Sequence, residues 1–169
     1  MAEHQDVVLV YLPMSQVNFP AMALSLFKAL LKNQGISSVV DYANMYFYQQ
    51  IGKEKYTIIT GSHYATMLGE CVFQPAAFPG KSIDWDGYYQ YILDNPPIAE
   101  SRYLQKEELL ECQQAAIDFI EETAERIMSF SPKIVAIGTM FQQNNALFAL
   151  VKALRRRSSE LVILVGGCN

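Results

Sequence analysis

The sequence predicts an α/β fold built on a parallel sheet, and three observations carry that prediction. Short apolar runs without polar alternation, such as residues 7–12 and 134–140, are typical of strands buried on both faces. Each run is followed by a stripe of apolar residues at helical spacing, and each stripe by a second short apolar run. With 169 residues, 51% apolar and 18% charged, the chain is long enough to bury one core. We therefore expect a single domain over residues 1–169.

The first predicted unit is strand, helix, strand. Residues 7–12 form the first strand, and Pro20 stands where a helix would take its first turn. The helix is expected to end near Gly35 and to pack on the sheet through a stripe at three- and four-residue steps, formed by Met22, Ala23, Leu26, Phe27, Leu30 and Leu31. Residues 36–41 form the second strand, and the crossover is expected to be right-handed.

The same pattern returns near the end of the chain. Residues 134–140 predict a third strand, and residues 161–165, followed by Gly166 and Gly167, predict a fourth. The helix between them is marked by Leu147, Leu150, Val151 and Leu154. A long insertion, residues 42–133, separates the two units. Its residues 106–128 predict one long amphipathic helix, and the aromatic-rich residues 45–97 predict short helices and ordered loops.

Composition and motifs exclude several classes of function. A formal charge of −4 without a large basic surface disfavours nucleic acid as a partner. The polar, acidic start and the lack of a long apolar run predict a cytoplasmic chain with no membrane partner. Cys71, Cys112 and Cys168 are scattered, which predicts neither a disulfide framework nor a metal site. No Ser-His-Asp, P-loop or GxGxxG pattern occurs, so we assign no catalytic residue.

Four stretches resemble a known family. They read VLVYLPM at residues 8–14, LGECVF at 68–73, IGTMFQQN at 137–144 and LVGGCN at 164–169. Together they look like the N-terminal cobalamin-binding domain of B12-dependent radical S-adenosylmethionine (SAM) proteins. More narrowly, they resemble the family that matures ribosomally synthesised peptides of the bacteriocin type. The likeness is spread over nearly the whole chain.

The resemblance implies a fold and a site. The fold is a three-layer, flavodoxin-like sheet of order 2-1-3-4 with a fifth strand missing, and ligands of such sheets bind where the strand order reverses, at the carboxyl ends of the strands. The implied cofactor-binding residues are Met14, Ser15, Gln16, Gly138, Thr139, Met140, Phe141, Gly166 and Gly167. Thr139 and the glycine pair match positions beside the nucleotide tail of cobalamin in relatives. From spacing alone, the same residues are better explained as the end of one strand and the turn after another, and only the resemblance gives the cofactor-binding explanation equal weight.

The implied cofactor is cobalamin without a protein histidine ligand. Related methyl-transferring domains carry DxHxxG after the first strand, whereas this loop reads PMSQVNFP, and His4 and His63 lie elsewhere. In the family, an iron-sulfur cluster held by CxxxCxxC cleaves SAM in a barrel domain that follows. This chain has no such motif, and three scattered cysteines do not supply three neighbouring thiolates. We therefore expect a truncated fragment that is inactive alone, with the cluster and SAM belonging to a missing downstream domain.

Two functions stay open at this point. In the first, the chain is the cofactor-binding or substrate-binding module of a B12-dependent radical SAM enzyme that matures a peptide, with C-methylation as the implied chemistry. In the second, it is a non-catalytic scaffold that has lost cobalamin and binds peptide or a partner domain. The expected partners are the downstream barrel domain, a precursor peptide, and a second copy of the chain paired antiparallel along the free edge of the fourth strand.

Overall fold

A computed structural model describes residues 3–100 and 102–167 of the chain. Four parallel strands form one sheet in the order β2-β1-β3-β4, with bounds β1 Val7–Tyr11, β2 Ser38–Asp41, β3 Ile134–Thr139 and β4 Val162–Gly167. Helix α1, Met22–Asn33, connects β1 to β2, and α8, Asn144–Arg157, connects β3 to β4. The predicted fold class is confirmed: the chain is α/β, with an all-parallel sheet in the flavodoxin-like order 2-1-3-4 and helices on both faces.

The insertion between β2 and β3 is helical, as predicted. It holds α2 Ala43–Ile51, α3 Lys53–Gly61, a 3-10 helix at Tyr64–Thr66, α4 Leu68–Ala77, α5 Trp85–Leu93, α6 Pro96–Ala99 and α7 Lys106–Met128. The bounds of α7 agree with the prediction, and a capping box starts the helix, in which the Glu108 carboxylate accepts a hydrogen bond from the amide of Gln105 at 3.0 Å.

The main core lies between one face of the sheet and the helices of the insertion together with α8. Val8 and Val10 of β1 and Val135 and Ile137 of β3 point to this face and are almost fully buried. Aromatic residues of the insertion join this core: the ring of Phe47 lies 4.9 Å, centre to centre, from each of two other buried rings, those of Phe73 and Phe119. The aromatic content of the insertion is therefore partly structural.

The second face of the sheet is covered quite differently. Among the described residues, α1 alone lies on it, and the small core there consists of Val7, Leu9, Ala21 and Leu24. The predicted packing stripe of α1 is largely wrong, because Leu24 is the buried residue of the helix and five of the six stripe residues are exposed: Met22, Ala23, Leu26, Phe27 and Leu30. Apolar residues occupy most of the circumference of α1, so its sequence did not define which side would face the sheet.

The fourth strand is longer than its apolar run. Gly166 and Gly167 belong to β4 and pair in register with Gly138 and Thr139 of β3, whereas the sequence predicted that the strand would stop before them. The ladder extends because β3 continues alongside, and glycine carries no apolar signal from which this extension is predictable. No helix in the described residues has the length and apolar character needed to cross a membrane.

Candidate functional site

A cavity of about 330 Å³ opens at the carboxyl ends of β1 and β3, where the strand order of the sheet reverses. We call it the switch-point pocket. It is lined by the loops that follow the two strands and by the end of α3, with the residues Tyr11, Met14, Ser15, Gln16, Phe19, Ile59, Thr60, Met140, Phe141, Gln142 and Gln143. Ligands of open α/β sheets bind at this position, because two successive connections leave the sheet in opposite directions and open a crevice between them.

The structure brings together five of the nine predicted site residues. Met14, Ser15 and Gln16 after β1 face Met140 and Phe141 after β3 across the pocket. The other four are Gly138, Thr139, Gly166 and Gly167, which lie in the strands beneath and are not among the described residues that line the pocket.

The side chain of Gln143 holds the two loops together. Its amide nitrogen donates to the carbonyl of Pro13 at 2.8 Å and to the hydroxyl of Ser15 at 2.7 Å, and its amide oxygen accepts from the backbone of Met140 at 2.7 Å. Gln143 is buried, so these bonds are shielded from water. The pocket wall is therefore held by one amide that links residues 130 positions apart.

A second amide fastens the insertion to the same place. The Gln142 side chain accepts a hydrogen bond from the backbone amide of Gly69 at 2.7 Å. A Cβ atom at Gly69 would lie 2.7 Å from the carbonyl oxygen of Gln142 and 3.0 Å from Cγ of Met14. Glycine is required here because the start of α4 touches the loop backbone directly.

The start of α8 is capped by a carboxylate from the insertion. Glu70 accepts from the backbone amide of Asn144 at 3.0 Å and from that of Asn145 at 2.7 Å, and its own carbonyl accepts from the Asn145 side chain at 2.8 Å. A helix start beside the switch point is where α/β proteins commonly bind phosphate. Here the protein's own carboxylate occupies that position.

Two loop residues at the pocket adopt an unusual backbone conformation. Met14 has φ of 69° and Gln142 has φ of 64°, in the left-handed region that side chains other than glycine rarely occupy. Such conformations cost free energy and persist where the surrounding structure holds them in place. Met14 is buried, and Gln142 is held through its bond to Gly69. The two loops are therefore shaped by the packing around them.

The pocket is polar but uncharged. Among the described residues that line it, none is a lysine, arginine, histidine, aspartate or glutamate. Below the pocket, the hydroxyl of buried Tyr56 donates to the carbonyl of Ser15 at 2.7 Å, and burial raises the pKa of this phenol far above its usual range. The described side chains that line the pocket therefore offer amides, hydroxyls and apolar surface for binding a ligand.

The glycine pair of β4 has a steric explanation at one of its two positions. A Cβ atom at Gly167 would lie 1.8 Å from the carbonyl oxygen of Thr139, and φ at Gly167 is +148°. A Cβ atom at Gly166 would meet no atom within 4 Å. Gly167 is thus required by the strand itself, whereas Gly166 leaves open space beside Gly138, its neighbour in register.

Sequence reasoning missed part of the pocket. Ile59 and Thr60 line it from α3, and Glu70 and Gln142 connect it to α4. The segment with Gly69 and Glu70 was distinctive in the sequence, but its contact with residues more than 70 positions away was not visible there.

Neither histidine is among the described residues that line the pocket. Nδ1 of His63 accepts from the backbone amide of Ala65 at 3.3 Å, at the start of the 3-10 helix, and Nε2 of His4 lies 3.8 Å from a carboxylate oxygen of Asp6.

The cysteines within the described residues are separate thiols. Burial raises the pKa of Cys71 and that of Cys112 to about 11 each, so both are protonated near neutral pH. Cys168 lies outside the described residues. Within residues 3–100 and 102–167, no group of three or more His, Cys, Asp or Glu side chains is placed to bind a metal ion.

Comparison of the chain with protein-family models, with curated proteins and with solved structures found no match.

Proposed function

We propose that this chain is the cofactor-binding module of a B12-dependent radical SAM enzyme that matures a peptide, and that cobalamin binds at the switch-point pocket. The observation that carries the proposal is an uncharged pocket at the point where the strand order reverses. A second support is the resemblance of the segments around residues 8–14, 68–73 and 137–144, which meet at this pocket.

The residues present fit the chemistry of a corrinoid. The periphery of a corrin ring carries neutral amide side chains, and the ring itself offers a broad apolar surface. Gln16 supplies an exposed amide, and the exposed side chains of Phe19, Met140 and Phe141 supply apolar contact at the rim. A cavity of about 330 Å³ is at the lower end of the range for small-molecule sites. We therefore expect it to receive one part of the corrinoid.

In this proposal the protein positions and shields the cofactor. Cobalamin, when bound, supplies the methyl-carrying cobalt chemistry. Gln143 keeps the two loops at a fixed separation, and the exposed rings of Phe19 and Phe141 would pack on the bound cofactor. Neither histidine is among the described residues that line the pocket, so the protein would hold cobalamin without a histidine ligand.

The cap on α8 also argues against a different ligand class. Dinucleotides and other phosphate ligands need unpaired amides or cations at the switch point. Here Glu70 takes the first-turn amides of α8, and the lining residues carry no positive charge. The pocket therefore fits the neutral, amide-bearing corrin ring better than a phosphate, whether that phosphate belongs to a dinucleotide or to the nucleotide tail of cobalamin.

A second function is favoured by one specific observation. The rim side chains Phe19, Met140 and Phe141 are apolar and half exposed although the loops beneath them are already cross-linked by Gln143. Such a preformed apolar site also fits a hydrophobic side chain of a peptide. In that reading the chain is a scaffold that binds peptide without cobalamin.

Titration of the chain with hydroxocobalamin, followed by visible absorption and equilibrium dialysis, tests the proposal. We expect saturable binding of one corrinoid per chain. Phe141→Asp should weaken this binding by about tenfold or more, equivalent to at least about 1.4 kcal/mol, because it places a charge in the apolar rim. Leu93→Asp, at an exposed apolar position at the end of α5, is the matched control and should bind as the wild type does.

Two outcomes would overturn the proposal. The first is the absence of binding by wild-type chain of native circular dichroism. The second is equal binding by the wild type and Phe141→Asp. If a fluorescent peptide rich in leucine and phenylalanine binds where hydroxocobalamin does not, and Phe141→Asp abolishes that binding, the chain is a peptide-binding scaffold and not a cobalamin-binding module.

A further inference from the structure

The exposed side of α1 is unusually apolar. Met22 is 76% exposed and Leu26 is 63% exposed, and both point away from the sheet that α1 covers. Phe27 and Leu30, each about half exposed, lie on one flank of the helix, whereas Lys28 and Lys32 lie on the other flank. Burial of Leu24 against the sheet sets this orientation.

An uncovered part of the sheet lies beside that helix. On the face that carries α1, β3 presents Ile134 and Ala136 and β4 presents Val162 and Leu164. Val162 and Leu164 are about half exposed, because no element of the described residues lies over these two strands on this face. Soluble proteins rarely leave a contiguous apolar surface of this kind open to water.

The apolar flank of α1 faces these open strands. The crossover from β1 to β2 is expected to be right-handed, and side chains of a right-handed helix turn clockwise when viewed from its start. Because of this crossover and this helical sense, Lys28 and Lys32 point toward β2, whereas Phe27 and Leu30 point toward β3 and β4. Phe27 and Leu30 of α1 thus form the wall, and the open strands β3 and β4 form the floor, of one surface groove. We call this groove the apolar trough.

We infer that the occupant of the apolar trough is α1 of a second copy of this chain. A two-fold axis parallel to the strands brings two sheets face to face and places each α1 over β3 and β4 of the other copy. Met22 and Leu26 of one copy then meet Val162 and Leu164 of its partner, and the Phe27 flanks of the two helices meet each other. Every apolar surface described above is buried by this single arrangement.

The dimensions agree with this arrangement. Two strands span about 10 Å, which is the packing width of one helix. Two α1 helices side by side therefore cover the four strands of each sheet. An aromatic side chain carries about 150–250 Å² of surface, and an aliphatic side chain carries less. The six that are about half exposed or more, Met22, Leu26, Phe27, Leu30, Val162 and Leu164, contribute on the order of 500 Å² per copy. The total of about 1,000 Å² for the pair is the size at which specific interfaces begin.

The sequence suggested a different dimer, in which two copies pair along their β4 edges. That dimer leaves more of the exposed apolar surface in contact with water. It would extend the sheet through backbone hydrogen bonds. It would also leave two troughs side by side, about four strands wide, between the two α1 helices. Leu26 and Phe27 would remain exposed in that dimer, so edge pairing does not explain the apolar surface of α1.

Light scattering during size-exclusion chromatography of the wild-type chain is the test, with variants of α1. We expect a dimer for the wild type and a monomer for Leu26→Asp, with at least a tenfold rise in the dimer dissociation constant. Lys28→Asp changes an exposed residue on the opposite flank of the same helix and should leave the dimer intact. Leu26 contributes nothing to the buried core, so Leu26→Asp should keep its circular dichroism and melting as a monomer.

Other outcomes overturn the inference. A wild-type monomer would mean that the trough has a different occupant, such as a helix from the expected downstream part of the same protein. A dimer that survives Leu26→Asp would point to edge pairing. Hydrogen exchange adds an independent check: the outer amides of β4 stay unprotected in the face-to-face dimer, and their protection upon dimerisation would contradict it.

Discussion

Removal of the Glu70 carboxylate should destabilise the chain through the start of α8. In the native fold this side chain accepts hydrogen bonds from the amides of Asn144 and Asn145, at 3.0 and 2.7 Å. Glu70→Ala leaves both amides without that acceptor and removes a negative charge from the positive end of the helix dipole. Glu70 and Asn144 are more than 70 positions apart, so Glu70→Ala weakens both the contact between α4 and α8 and the start of α8 itself.

The expected magnitude follows from those contacts. A hydrogen bond to a charged group contributes about 1.5–3 kcal/mol when buried, and the helix dipole contributes roughly 0.3–1 kcal/mol more. Glu70 is only partly buried, and water can replace some of its bonds in the variant. We therefore expect a loss of about 2–3 kcal/mol in the free energy of unfolding, or a melting temperature lower by about 5–10 °C. Glu70→Gln keeps one acceptor and should lose about half as much.

Urea denaturation followed by far-ultraviolet circular dichroism measures the effect. The midpoint should fall while the slope m stays constant, since the surface exposed on unfolding is unchanged. Glu107→Ala, at an exposed glutamate in the first turn of α7, is the control and should cost less than about 0.5 kcal/mol. If Glu70→Ala costs no more than Glu107→Ala, the carboxylate does not hold α8 and the reasoning fails.

An anion should partly restore the Glu70→Ala variant. The variant exposes the first-turn amides of α8, which would then form an ordinary anion site. Inorganic phosphate should raise the melting temperature of Glu70→Ala more than that of the wild type, with sodium chloride of equal ionic strength as the reference. Equal shifts in the two proteins would contradict an anion site at this helix start.

Three further predictions concern the strand, the histidines and the thiols. Gly167→Ala should lower the free energy of unfolding by about 2–4 kcal/mol, because its Cβ has no room, while Gly166→Ala should change it by less than about 1 kcal/mol; urea denaturation of both compares them, and equal costs would refute the steric argument. Replacing His4 and His63 by alanine should leave the visible spectrum of bound hydroxocobalamin unchanged, and a shifted spectrum would place a histidine on cobalt. Burial raises the pKa of Cys112 from 9.0 to about 11, so the stabilising contribution of the protonated thiol is complete below pH 9 and is lost as the pH rises toward 11. The free energy of unfolding should therefore fall less between pH 9 and pH 11 in Cys112→Ala than in the wild type. An identical fall in the two proteins would contradict this prediction.

The elements of the fold were predictable where local pattern and tertiary role agree. The β1 run is continuous and apolar because both faces of this central parallel strand are buried. The β3 run is equally apolar, but the expectation that both its faces are buried is wrong: its burial alternates along the strand, because α1 does not extend over it. The long helix Lys106–Met128 was predictable to the residue because 23 positions repeat one periodic pattern. The end of β4 was not predictable, because Gly166 and Gly167 pair with β3 through the backbone and carry no side-chain signal.

The candidate site was predictable in its position and not in its construction. Residues that follow β1 and β3 must meet where a parallel sheet reverses its order, so the flavodoxin-like order that the resemblance implies also brings Ser15 and Met140 together. The amide of Gln143 and the contact of Gly69 with Gln142 depend on distances between loops far apart in sequence. Nothing in a local pattern encodes such distances.

Helix α1 separates what the sequence determined from what only the tertiary structure decided. The sequence by itself determined that residues after Pro20 form a short apolar helix between two parallel strands, because spacing and chain connectivity are local properties. The tertiary structure decided that Leu24 faces the sheet and that Met22 and Leu26 do not. A helix that is apolar over most of its circumference has several sides of similar hydrophobicity. The side that becomes buried is therefore chosen by the shape of the sheet beneath it and by the right-handed crossover that places it there.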